Sequence, residues 1–109
     1  MQAFELSQLC EERRKSNRLY LEFLREPSLS VGLYQLAAGG LDPQQAHTED
    51  EVYYVVSGQG IIRVGGEDRA VQAGSIVFVT AGVEHRFHSI AEDLAVLVFF
   101  APAEGMNKT

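Results

Sequence analysis

Apolar residues sit at helical spacing only near the start of the chain, and beyond that they come in short runs broken by turn residues. Leu6, Leu9 and Cys10 fall at i, i+3 and i+4, Ser7 is a candidate cap, and Glu11 stands four residues before Lys15. This predicts one helix over about residues 6–15. After Ser16-Asn17 the pattern predicts strands at Leu19–Leu24 and Leu29–Leu36, parted by Glu26-Pro27-Ser28. Gly39-Gly40 and Asp42-Pro43 mark a loop before a strand over Glu51–Ser57. Gly58-Gln59-Gly60 is read as a turn into Ile61–Val64, and Gly65-Gly66 as a turn into a short strand near Arg69–Gln72. Strands at Ile76–Thr80, Glu84–Ser89 and Leu94–Phe100 follow, and a polar tail covers 102–109. Many short strands with closely spaced turn signals predict an all-β sandwich or small barrel over about residues 18–101, in a single domain spanning 1–109.

Two of these strands are apolar on both faces. Val52-Tyr53-Tyr54-Val55-Val56 and Leu94–Phe100 lack the alternation of a sheet with one wet side, so a second layer must cover them. In a chain of 109 residues that cover is a second subunit, giving a homodimer, or the N-terminal helix and strands folding across. Hydrophobic residues at 46% and charged residues at 22% describe an ordinary globular composition. A net charge of -6 argues against a nucleic-acid partner, since no basic patch is available to neutralise phosphates; Arg13-Arg14-Lys15 follows Glu11-Glu12 and reads as a solvated helix end. The single cysteine, Cys10, excludes an intrachain disulfide and any cysteine-based zinc site. No apolar run is long enough for a membrane helix and the N-terminus has no secretory pattern, so the expected compartment is the cytoplasm.

The chemistry concentrates in the histidines. There are three, and two stand in related surroundings: His47 in Gln45-Ala46-His47-Thr48-Glu49-Asp50-Glu51, and His85 shortly after Gly82. On a strand, positions 45, 47 and 51 share a face, so Gln45, His47 and Glu51 can converge, with His85 arriving from a second strand. Imidazole with carboxylate is a ligand mix for a divalent first-row metal.

The spacing resembles that of the cupin family. Its first motif, G-x5-H-x-H-x3-E-x6-G, is matched by Gly39, Gln45, His47, Glu51 and Gly58, with glutamine for the first histidine. Its second, G-x5-P-x-G-x2-H-x3-N, is matched by Gly74, Thr80, Gly82, His85 and Ser89, with threonine for proline and serine for asparagine. The resemblance implies a cupin-type β-barrel (a double-stranded β-helix or jelly roll). It also implies one divalent transition metal (Fe, Mn, Ni or Zn) and a dimeric assembly. Residue by residue it carries His47, Glu51 and His85 over as metal ligands, with Gln45 as a neutral fourth donor and Gln44 as its competitor. Two histidines and one carboxylate form the facial set of non-haem Fe(II) oxygenases, with positions left open.

Glu51 is then a ligand or a proton-moving catalytic group. Tyr53 and Phe87 lie on the ligand-side phase of their strands, as pocket lining or as plain core. His88, three positions from His85, faces the other way and is structural, and Glu84 and Arg86 share that outward face. Three functions are compatible: a metal-dependent enzyme of oxygenase or isomerase/cyclase type acting on a small organic molecule, a module that binds a small ligand without turnover, or a structural cupin dimer. No nucleophilic triad is present, because Cys10 lies on the helix and no serine occupies a nucleophile elbow.

Overall fold

The computed structural model describes residues 1–107. Helix α1 (Leu6–Ser16) is followed by β1 (Tyr20–Glu26) and β2 (Leu29–Leu36). Then come β3 (Asp50–Val64), β4 (Glu67–Gln72), β5 (Ile76–Val79) and β6 (His85–Ala101). The helix begins ahead of its serine: Glu5 is the N-cap residue and makes no side-chain cap, so Ser7 lies inside the first turn. It ends at Asn17 in the left-handed conformation (φ 58°), which a short polar side chain tolerates. Leu9 is the residue α1 buries, and the helix lies on β1 and β2.

All pairings are antiparallel, in the order β1-β2-β6-β3-β4, with β5 also on β3. Two expected breaks are not breaks. Gly58-Gln59-Gly60 does not reverse the chain, and residues 90–93 do not separate two strands; β3 runs for 15 residues and β6 for 17. What looks like turn chemistry in the sequence is instead bulge chemistry. The β3–β6 register slips between Val55 and Ser57, again before Gln59 and again before Ile61, while Ser89 takes a positive φ of 49° on the opposite strand. Gly58 takes φ 99°, and a Cβ there would lie 2.2 Å from the Asp93 carbonyl oxygen, so only glycine allows the strands to approach.

These irregularities decide which side chains face inward. Along β3, Glu51, Tyr53 and Val55 are buried, but after the slips it is Ile62. Along β6, His85 and Phe87 are buried first, and then Ile90, Leu94, Val96, Val98 and Phe100. Each strand changes parity once, so both of its ends turn the same face to the interior. Glu51 and Val64 are thirteen positions apart and His85 pairs with Val64, which in a flat sheet would put Glu51 and His85 about 43 Å apart. Their side chains instead approach to 2.7 Å. The ladder is therefore rolled into a β-barrel, with Tyr53, Phe87, Phe100, Tyr34 and Ile62 in its core.

Candidate metal centre

His47 is not delivered by a strand. Residues 40–49 form an irregular loop ahead of β3, so the shared strand face expected for positions 45, 47 and 51 does not exist. The loop is pinned from both sides. The buried Asp42 carboxylate accepts from the Phe87 amide (2.8 Å), the Gln44 amide (3.0 Å) and the Tyr34 hydroxyl (2.5 Å). The His47 carbonyl accepts from the Gly82 amide at 2.7 Å. Buried Glu49 accepts from the amides of Gly105 (2.9 Å) and Asn107 (3.1 Å), tying the C-terminal turn to the loop. Burial pushes the Glu49 carboxyl up, but these amides and the Thr48 hydroxyl outweigh it and hold it below the usual carboxylate range.

Held this way, His47 meets Glu51 at the start of β3 and His85 at the start of β6. Glu51 Oε1 lies 2.7 Å from His85 Nε2 and 3.3 Å from His47 Nδ1, and one ligand atom from each residue falls within 4.8 Å of the others. The Glu51 and His85 side chains are fully buried, whereas that of His47 keeps 16% of its surface open, so the centre is reached past His47. Short as these separations are, none is aligned as a hydrogen bond: His47 Nδ1, both Glu51 oxygens and His85 Nε2 are buried without a partner. Of the two outer nitrogens, that of His85 is hydrogen-bonded, whereas that of His47 stands at ion-pair distance from a carboxylate without hydrogen-bond alignment. His85 Nδ1 lies 2.9 Å from the Val83 carbonyl, which can only accept, so Nδ1 carries the proton and Nε2 turns a lone pair inward. His47 Nε2 lies 3.1 Å from Glu104 Oε2.

Buried acceptors facing one another need a proton or a cation between them. Ligands at about 2.1 Å from one ion stand roughly 3.0–3.4 Å apart at right or tetrahedral angles. The 2.7 and 3.3 Å spacings are close to that range, and the two-imidazole, one-carboxylate set suits a divalent transition metal. These residues therefore fit the group that the family resemblance implies. Without an ion, the cluster holds protons. The carboxylates of Glu104 and then Glu51 push His47 up to about 9. Burial pushes Glu51 up and His85 down, but the histidines beside Glu51 hold it below its ordinary range, and Glu51 and the Val83 carbonyl leave His85 raised.

The remaining candidates separate clearly. Gln45 is exposed and lies on a cleft of about 950 Å³ that the three converging residues touch only through His85. Gln44 is the glutamine that turns in, its amide oxygen accepting from the Tyr53 hydroxyl at 2.8 Å and its nitrogen donating to Asp42. Tyr53 and Phe87 are both wholly buried, their rings edge to face at 5.1 Å, and Tyr53 also lies 5.8 Å from the His85 ring. They form the floor beneath the cluster. His88 points outward, 2.9 Å from Asp68, while Glu84 and Arg86 are exposed. Glu104 was not singled out from the sequence, lying in the stretch that reads as polar tail. Nor was Asp42, whose Asp-Pro pairing signals only a turn.

A family model described as the cupin domain matches residues 32–100, more than half of the chain, and the protein belongs to the cupin family. It is 55% identical over 104 residues to the uncharacterized protein SCO3923 of Streptomyces coelicolor, covering 95% of this chain and 99% of that one. It is 27% identical over 100 residues to the oxalate-binding protein of Thermotoga maritima, covering 86% of this chain and 74% of the relative. Among solved structures, TT1209 from Thermus thermophilus superposes with a TM-score of 0.72 at 26% identity, over 94% of this chain and 99% of that chain.

Proposed function

We propose that the protein is a metal-dependent cupin enzyme of oxygenase or isomerase/cyclase type, handling a small organic molecule in the cytoplasm as a homodimer. The observation that carries this reading is the set of inward-facing ligand atoms without partners on His47, Glu51 and His85, beside an outer His85 nitrogen that the Val83 carbonyl already engages. A divalent ion (Fe, Mn, Ni or Zn) held there supplies Lewis acidity or oxygen activation. Three protein ligands leave coordination positions for a small molecule, which is the pattern of a working site more than of a closed structural one. Tyr53 and Phe87 close the inner side, the Val83 carbonyl fixes the His85 ring, and buried Glu51, held ionised by the histidines beside it, is the carboxylate ligand. The dimer is supported by the outer face of β3 and β5, where Tyr54, Ile76 and Phe78 remain 40%, 66% and 58% exposed.

A second reading, binding without turnover, is favoured by the name of the Thermotoga maritima relative, an oxalate-binding protein. The two are separated by preparing the protein without chelator, measuring its metal, and following oxygen uptake and product formation over a small-molecule panel that includes oxalate. Stoichiometric metal with turnover of a panel member supports the enzyme. Stoichiometric metal with calorimetric binding and no turnover supports the binding module, and protein that takes up no divalent metal overturns both.

A further inference from the structure

We propose that the Tyr20 hydroxyl is the hydrogen-bond donor that receives a carboxylate oxygen of the small molecule entering the centre; this rests on the metal-binding reading above. Tyr20 pairs with Tyr34 across β1 and β2, so the two rings share the interior face, with centroids 6.1 Å apart and edge to face. A Cβ on Gly32 would fall 2.1 Å from the Tyr20 Cζ and 2.2 Å from its Oη, so the ring lies over Gly32 in space that only glycine leaves. Gly32 is two residues along β2 from Tyr34. The same step runs from Val96 to Val98 on β6 and from Val55 to Tyr53 on β3. The next step in that direction reaches Ser30, Phe100 and Glu51, so the hydroxyl leans toward the end of the barrel where the centre stands.

That hydroxyl is buried with no hydrogen-bond partner among the described residues, unlike those of Tyr34 and Tyr53, which donate to Asp42 and Gln44. Burial, and then the carboxylates of Glu104, Glu22 and Glu51, push its phenol up, so it keeps its proton. None of those carboxylates accepts from it, so the acceptor comes with the ligand. A carboxylate has two oxygens and can meet the centre with one while accepting from Tyr20 with the other. With Glu51 the one anionic ligand, a divalent site keeps a positive charge, which selects an anion over a neutral oxygen compound. Glu22 and Glu104 keep 32% and 35% of their side chains open, so water screens their repulsion.

The test uses the full chain loaded with Zn²⁺ and titrated calorimetrically with oxalate and with acetate, metal content being measured after each titration. Thermal unfolding of the metal-free proteins runs alongside. Tyr20→Phe keeps the ring and removes the hydroxyl alone. It should weaken carboxylate binding about 10–100-fold while moving Tm by less than about 2 °C, since no hydrogen bond within the protein is lost. Tyr34→Phe, which strips a hydroxyl bonded to Asp42, should lower Tm by at least about 4 °C. With 13Cζ-labelled tyrosine, the resonance missing from Tyr20→Phe should shift in the wild-type protein when oxalate is added. Unchanged carboxylate affinity in Tyr20→Phe overturns the inference. So does a loss of affinity accompanied by the Tm loss of Tyr34→Phe, which assigns the hydroxyl to the fold. Zn²⁺-loaded wild type that binds neither oxalate nor acetate removes this inference alone, whereas protein that takes up no Zn²⁺ removes the metal-binding reading with it.

Discussion

Replacing Gly58 by alanine should damage the barrel through one contact, and Gly74 supplies the matched control. Both glycines have left-handed backbones, with φ of 99° and 93°. An alanine at either position therefore meets the same local penalty, roughly 1–2 kcal/mol. They differ in surroundings. A Cβ at Gly74 has nothing within 4 Å, while one at Gly58 falls 2.2 Å from the Asp93 carbonyl oxygen and 2.8 Å from the Leu94 Cα. Real Cβ contacts essentially never close below 3.0 Å, and here the obstacle is backbone of β6, so the strands must part by most of an ångström. The displaced segment carries the register slips that turn Glu51 and His85 to the same interior. We expect Gly74→Ala to cost about 1–2 kcal/mol and Gly58→Ala at least about 3 kcal/mol. The latter lowers Tm by more than about 12 °C at roughly 4 °C per kcal/mol. Urea and thermal unfolding of the metal-free proteins measure both. Equal losses in the two variants would refute the reasoning, because they would show that backbone conformation alone sets the requirement for glycine.

Further outcomes follow from the same structure. Metal must displace the proton that His47 holds below about pH 9, so apparent Zn²⁺ affinity should climb roughly tenfold per pH unit between about pH 6 and 8; a flat profile contradicts it. In the metal-free protein that raised value acts on stability with the opposite sign: its contribution is complete below the ordinary histidine value near 6.5 and fades as pH rises through about 9. Gln45→Ala should leave metal affinity unchanged, whereas Gln44→Ala should destabilise the fold by about 1–3 kcal/mol by stranding the buried Tyr53 hydroxyl, both read by titration and unfolding. Phe78→Glu should convert the dimer to a monomer at micromolar concentration by light scattering, and a wild-type protein that is already monomeric would remove that part of the proposal.

The sequence made some of this legible and hid the rest for identifiable reasons. β2 begins and ends where its apolar run does, and α1 follows its spacing of Leu6, Leu9 and Cys10 to within a residue. The continuity of β3 and β6 was not readable, because Gly-Gln-Gly and Ala-Glu-Asp carry the same local signal whether the chain reverses or bulges. The choice is made by pairing between Gln59 and Glu92 and between Ile61 and His88, some thirty residues apart. Motif spacing pointed to His47, Glu51 and His85, and the structure brings those three together; the strand-phase argument behind it holds for no residue before Asp50. Gln45 and Gln44 exchange places because a loop, unlike a strand, has no fixed alternation. Glu104 reaches His47 only through a turn built on Glu49 and Ser30, contacts that span more than fifty residues and leave no local trace.

Metal stoichiometry across single substitutions tests the central claim most directly. Isothermal titration of Zn²⁺ into chelator-treated protein should show one ion per chain for wild type and for His88→Ala, whose ring lies on the outer face against Asp68. His47→Ala, Glu51→Ala and His85→Ala should each lose stoichiometric binding, because each removes one of three converging donors. Full binding in those three variants, with loss in His88→Ala, would contradict the account.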